Sequence, residues 1–133
     1  MKTLFTLLLT LIVGYLPAQS RLGYNMGQVR ADFSGKNWEY GTSESGYQWM
    51  AFQDDDIRAV YWFNEDGQCV ITSCTPTSVG KLNMYVELYN KQFVIIDDYN
   101  WKWYSPEGIV IYVALRKTDD GTPVFFYTRK PWD

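Results

Sequence analysis

The chain contains no histidine in its 133 residues. That removes the commonest general base, the usual partner of a nucleophilic serine or cysteine, and the commonest zinc ligand. Cysteine is nearly as scarce. Cys69 and Cys74 are the whole complement, and two thiols at this spacing do not make a zinc site. A basic excess is also missing. A balance of 12 basic to 15 acidic residues disfavours nucleic acid and anionic membrane surfaces, which need a positive patch. No Asp-x-Asp-x-Asp-Gly loop is present. Asp54-Asp55-Asp56 reads as a solvated turn rather than a calcium site, because consecutive loop carboxylates rarely converge on one ion. Asp97-Asp98 and Asp119-Asp120 read the same way. The stretch Gly41 to Gly46 lacks the Gly-x-Ser-x-Gly spacing of a nucleophile elbow and reads as a flexible turn. No enzyme, cofactor or metal site is expected.

Long apolar runs are confined to the start. Lys2 supplies a positive end, Leu4 to Leu16 is almost all apolar, and Leu16-Pro17-Ala18 ends in a small residue. Residues 1–19 therefore read as a secretory signal peptide, cleaved near Ala18 or Ser20. The run is shorter than the ~20 residues of a bilayer span, and no later segment is long and apolar enough. A periplasmic or secreted protein with no membrane span after cleavage is expected. Residues 20–133, about 114 in all, suit a single domain, and without Lys2 they carry 11 basic against 15 acidic residues. Export makes a disulfide chemically possible. On a regular strand, however, Cys69 and Cys74 point to opposite faces and lie ~16 Å apart, against the ~7 Å limit for bridged Cα atoms. A sharp bend near Ser73 would allow the bridge; otherwise both are free, buried thiols.

What is present is a repeated pattern, at about 22–75 and 76–130. Each stretch reads as one short helix followed by four strands. Trp49 to Trp103 and Gly67 to Gly121 are both offset by 54, Val29 to Leu82 by 53 and Trp38 to Phe93 by 55, which suggests a duplicated unit. In the first stretch Asn25 is the N-cap, Met26, Val29 and Phe33 form a helical face, and Gly35 ends the helix. Strands follow at Asn37 to Ser43, Tyr47 to Gln53, Arg58 to Asn64 and Gln68 to Cys74, with a hairpin at Glu65-Asp66-Gly67. In the second, Thr77 or Ser78 caps a helix with Leu82, Tyr85, Val86 and Tyr89 on one face. Asn90 stops it. Strands follow at Phe93 to Asp97, Asn100 to Tyr104, Ile109 to Arg116 and Thr122 to Lys130.

Alternation assigns the faces. Ile109, Ile111, Val113 and Leu115 belong under the helices, and Val110, Tyr112, Ala114 and Arg116 on the far side. By the same reading Val124 and Phe126 point inward and Phe125, Tyr127 and Arg129 outward. Cys69 and Ile71 face the helices; Val70 and Thr72 do not. The register of Tyr99 to Tyr104 stays open. Trp101 and Trp103 lie either under the helices or with Trp49, Tyr112 and Tyr127 on the far side, and in the first case Tyr104 joins that patch. The expected fold is α+β: two tandem α-β-β-β-β units, an antiparallel sheet with helices on one face and an aromatic open face.

Gly23, Asn25, Val29 and Phe33, together with the tandem units and the secretion signal, resemble the opening Gly-x-(Ser/Thr)-x3-Val-x3-(Leu/Phe) of the beta-lactamase inhibitor protein family. They also resemble the related outer-membrane assembly lipoprotein (SmpA/OmlA) family. Asn25 stands where those families carry a hydroxyl residue. The resemblance implies a helix-on-sheet fold whose exposed sheet face grips a protein partner. A cystatin-like helix-on-sheet domain is a competing reading of either half.

Aromatic residues make up 18% of the chain, more than so small a core readily hides, and clusters of them on a surface tend to mark binding sites. The candidate partner-binding residues are Tyr112, Phe125, Tyr127, Arg129, Trp101, Trp103, Tyr104 and Trp49. A protein partner is the first expectation. A glycan stacked on the indoles, or a homodimer through the same face, are the alternatives.

Overall fold

Among the described residues, both helices begin where a side chain can receive a free backbone N–H. A computed structural model describes residues 21–105 and 108–131, and the signal-peptide segment lies outside the described residues. Helix α1 spans Met26–Asp32. The Asn25 side chain accepts from the Gln28 N–H at 2.8 Å, and Gln28 Oε1 accepts from the Asn25 N–H at 2.9 Å, closing a capping box. Helix α2 spans Val79–Gln92, with Ser78 as its cap. Asn90 does not stop it. The Asn90 side chain accepts a hydrogen bond from Trp101 Nε1 at 2.8 Å, so it ties the helix to the sheet, and the helix runs two residues further.

Eight strands follow the expected segments: β1 Glu39–Thr42, β2 Gln48–Gln53, β3 Ile57–Phe63, β4 Cys69–Pro76, β5 Val94–Asp97, β6 Asn100–Tyr104, β7 Val110–Lys117 and β8 Pro123–Thr128. They form one antiparallel sheet in the order β1-β2-β3-β4-β8-β7-β6-β5. Each helix precedes four strands, and β4 meets β8 at the centre through Thr72↔Tyr127, Ser73↔Phe126 and Cys74↔Phe125. The α+β class of the sequence reading is correct.

Four hairpins share one chemistry. Ser43, Asn64, Ser105 and Thr118 each accept, through the side chain, from the N–H four residues on. In each the fourth residue is a glycine at positive φ, the backbone state that a side chain would oppose.

The core lies between the helices and one face of the sheet. Tyr89 of α2 is its hub: the ring meets Phe93, Trp101, Phe125 and Tyr127 at centroid distances of 4.7, 5.8, 5.0 and 6.2 Å. Under α1, Phe33 and Trp38 pack against Phe52 and Tyr61. Burying rings of this size contributes about 1.5–3 kcal/mol each.

Three sequence expectations are corrected here. The faces of β8 are the reverse of those expected: Phe125 and Tyr127 are buried under α2. The reason lies across the strand. Ile111, Val113 and Leu115 of β7 do face the helices, and Tyr127 and Phe125 pair with Val113 and Leu115; paired residues share a face. On β4 a bulge intervenes. Phe63 pairs with Cys69 but Trp62 with Ile71, so Val70 is extra and the alternation shifts beyond it. Thr72 therefore turns inward and Ile71 outward, and both cysteines are buried and free. Finally, Trp49 and Trp103 are not equivalent. Trp49 pairs with Trp62 away from the helices, whereas Trp103 pairs with Ile111 beneath them.

Candidate functional site

The face opposite the helices is built by the other half of each alternation. It carries Trp49 of β2, Val60 and Trp62 of β3, Ile71 of β4, Phe126 of β8, Tyr112 of β7 and Tyr104 of β6, as the register dictates. Tyr104 is 53% exposed, and the other rings are half-buried. Ala51, Ser73 and Ala114 are buried small residues between them and form the floor of the patch.

Trp49 and Trp62 stand directly opposite each other, the arrangement in which cross-strand side chains stabilise a sheet. The Trp49 indole also lies on Gly41 of the edge strand, so close that a Cβ there would run into the ring. Gly41 is thus required by the indole, which covers the bare backbone in turn.

Charge frames the patch. Arg58, Lys102 and Arg116 share this face with the carboxylates Glu39 and Asp97, so it is locally cationic on an acidic chain. Arg58 Nη2 pairs with Glu39 at 3.0 Å. Arg116 Nη2 donates to Asn100 at 2.9 Å. The Lys102 ammonium lies 5.5 Å from the Tyr104 ring centre.

Of the residues singled out from sequence, Tyr112, Tyr104 and Trp49 lie on this face. Trp101 and Trp103 lie on the helix side, which settles the open register of β6. Phe125 and Tyr127 belong to the core. Arg129 also leaves the patch, because its guanidinium reaches the Leu22 carbonyl at 3.4 Å. Sequence reasoning missed Trp62, Phe126, Val60 and Ile71. In β3 a signal was present: Arg58, the one charged residue of that strand, sets the parity that places Val60 and Trp62 on the same side.

The helix side holds a buried polar seam instead of a site. The Tyr89 and Tyr127 hydroxyls bond to each other. Burial pushes the Cys74 thiol up to about 12, eased by a hydrogen bond with Tyr127. Burial likewise pushes Cys69 up to about 11, eased by hydrogen bonds with the Thr72 side chain and with the backbone of Ile71 and Trp62. Thiols held protonated in this way are poor nucleophiles. The acidic loops are occupied locally. Asp54 Oδ1 accepts from the Asp56 and Ile57 N–H groups at 2.8 and 3.0 Å, and Asp56 pairs with Lys81 at 2.7 Å. Among the described residues, no group of three Cys, Asp or Glu side chains is gathered to hold a metal ion, and no helix is long and apolar enough to cross a membrane.

A shallow cleft of about 850 Å³ opens beside the β5–β6 turn, lined mainly by Leu82, Tyr99, Leu115, Arg116 and Pro123. Asp97, Asp98 and Lys117 also line it. Comparison with protein-family models, curated proteins and solved structures finds no match to this chain.

Proposed function

We propose that this chain is an exported, non-catalytic module that holds a protein partner through the face of its sheet opposite the helices. The observation that carries the reading is the collection of Trp49, Trp62, Tyr104, Tyr112 and Phe126 on the one face that neither helix packs against. Aromatic anchors ringed by polar groups are the usual centres of protein interfaces, with single hot spots worth ~2 kcal/mol or more. The cations Arg58, Lys102 and Arg116 favour a partner whose contact surface carries carboxylates. Capture from the exported fraction, with the protein immobilised, tests this. The expected result is a specific protein partner that is lost as salt rises; a folded bait that retains none counts against it.

A glycan ligand is the second reading, favoured by one detail. The Trp49 indole lies against Gly41 on one side, a supported flat ring of the kind that stacks on sugars. A glycan array with binders abolished by Trp49→Ala would shift the reading to carbohydrate.

The two α-β-β-β-β stretches are, in this reading, copies of one unit. Their shared element order, the shared hairpin chemistry and the central antiparallel pairing of β4 with β8 support duplication. An experimental structure whose halves fail to superimpose strand for strand would remove it.

A further inference from the structure

On the face opposite the helices one cross-strand row runs Asp97, Asn100, Ala114, Phe126. Ala114 is its one small member and is almost wholly buried. Its neighbours on that face are large: Asn100 and Phe126 across the ladder, Tyr112 and Arg116 two positions along its own strand. A methyl group among four longer side chains leaves a hollow. The structure has a cavity of about 200 Å³ there, lined by Ala114, Asn100, Tyr112, Asp97, Ile96 and Pro131 among others. Sites for whole drug-sized ligands enclose ~300–1,000 Å³, so this one suits a single small unit.

The polar wall of the cavity is held in place by its own hydrogen bonds. Asp97 Oδ1 accepts from the Tyr99 N–H at 2.9 Å and from the Asn100 amide at 2.7 Å, and Asn100 Oδ1 accepts from Arg116 Nη2 at 2.9 Å. The Tyr99 N–H and the Asn100 side chain, with Arg116 adding to them, hold the Asp97 carboxyl below its usual range, so it is ionised at neutral pH. Both bonds fall on Oδ1. A carboxylate can accept about four, so Oδ2 keeps capacity for a ligand, and an amide NH2 has a second N–H to donate.

The charges of this wall offset one another, because one amide joins the Asp97 carboxylate to the Arg116 guanidinium. A free ion would meet its like charge there as well as its opposite. What the wall offers is an acceptor beside a donor, next to the Tyr112 ring and the apolar Ile96 and Pro131. A sugar unit matches each of these. Its adjacent hydroxyls both donate and accept, and the weakly positive hydrogens of its C–H face are drawn to the negative face of an aromatic ring.

We infer that the cavity over Ala114 is a saccharide subsite, in which one neutral sugar unit stacks on Tyr112 and hydrogen-bonds through neighbouring hydroxyls to Asp97 and Asn100. This goes beyond the protein-partner reading. It also lies apart from the Trp49 indole, with β3, β4 and β8 between the two strands concerned.

NMR titration of the isotope-labelled protein with glucose, galactose, mannose and N-acetylglucosamine, one at a time, tests it. The expected result is saturable movement of the Asn100 side-chain amide, together with the backbone amides of Tyr112 and Ala114, for at least one of these sugars. Asp97→Asn keeps the shape, and its oxygen can still accept from the Tyr99 N–H, but it replaces an ionised acceptor by a neutral one. It is expected to weaken binding ~tenfold or more, since hydrogen bonds to charged groups are the stronger class. Tyr112→Leu, which leaves the polar wall intact, is expected to weaken binding as well, and Trp49→Ala to leave it unchanged. Sugars that do not move the Asn100 amide overturn the inference, as does movement gathered around Trp49 or binding indifferent to both Asp97→Asn and Tyr112→Leu. So does equal binding of glutamine, whose carboxamide carries a donor and an acceptor without a sugar ring. Protein-partner capture is expected to survive Asp97→Asn, so either proposal can fail without the other.

Discussion

The two faces of the sheet carry similar rings and use them differently. Beneath the helices Tyr61, Tyr89, Trp101, Phe125 and Tyr127 are almost wholly buried and meet edge to face or tilted. On the far face Trp49, Trp62, Tyr104, Tyr112 and Phe126 touch solvent. Ring content alone does not tell core from surface. What separates them is the helix, because a face gains the full burial energy only where a second layer excludes water.

The sharpest way to break this comparison is to truncate one ring on each side. Tyr89→Ala removes the hub of the covered face and leaves a cavity beside four rings. A loss of about 3–5 kcal/mol is expected in chemical denaturation, as for other buried aromatic truncations. Trp62→Ala on the open face is expected to cost well under half of that. Equal losses would mean that the two faces are equally core.

Next in size is the response to alkali. Burial raises the Cys74 and Cys69 thiols to about 12 and about 11 and raises the Tyr89 and Tyr127 hydroxyls as well. The folded state therefore holds protons that the unfolded chain releases from about pH 8.5, the ordinary cysteine value. Stability is full below that pH and falls as pH rises toward the folded values. In the same experiment neither thiol should react with iodoacetamide near pH 8 until denaturant is added. Alkylation of the native protein would contradict the burial of both.

The smallest effect belongs to the β2–β3 turn. Burial raises the Asp54 carboxyl, but the Ile57 and Asp56 N–H groups and Lys36 together outweigh it and hold it below the usual range. Its contribution is present above the unfolded carboxylate value and is lost as pH falls through the lower folded value. Asp54→Ala should cost about 1 kcal/mol at neutral pH, from the two turn hydrogen bonds, and should flatten the acid limb of the stability profile. An unchanged profile would assign the turn's stability to other groups.

The helices and strands were legible because their signals are local. Asn25, Ser78 and the glycine turns punctuate the chain, and Ile109 to Arg116 alternates cleanly. The face of β8 was not legible, because Val124, Phe125, Phe126 and Tyr127 are all apolar and either parity suits them. Its answer lay in β7, across the ladder, and not in β8 itself. The bulge at Val70 was invisible for another reason: no glycine marks it, and it exists only as a mismatch between two strands. The faces of Trp101 and Trp103 follow from their pairing with Val113 and Ile111 across the ladder, and Trp101 is tied to Asn90, a residue on a helix 11 positions away. Five of the eight candidates thus lie off the patch: Phe125, Tyr127 and Arg129 were misplaced by arguments made one strand at a time, and Trp101 and Trp103 had been left open.

One pair of measurements on one variant bears most directly on the claim that the open face is a binding surface rather than a second core. In Trp62→Ala/Tyr112→Ala, thermal unfolding and partner affinity are read together. The account predicts a melting temperature lowered by only a few degrees and an affinity reduced by roughly a hundredfold or more, as expected when two hot-spot rings are lost. Unchanged affinity in a folded variant, or a chain that no longer folds, would contradict it.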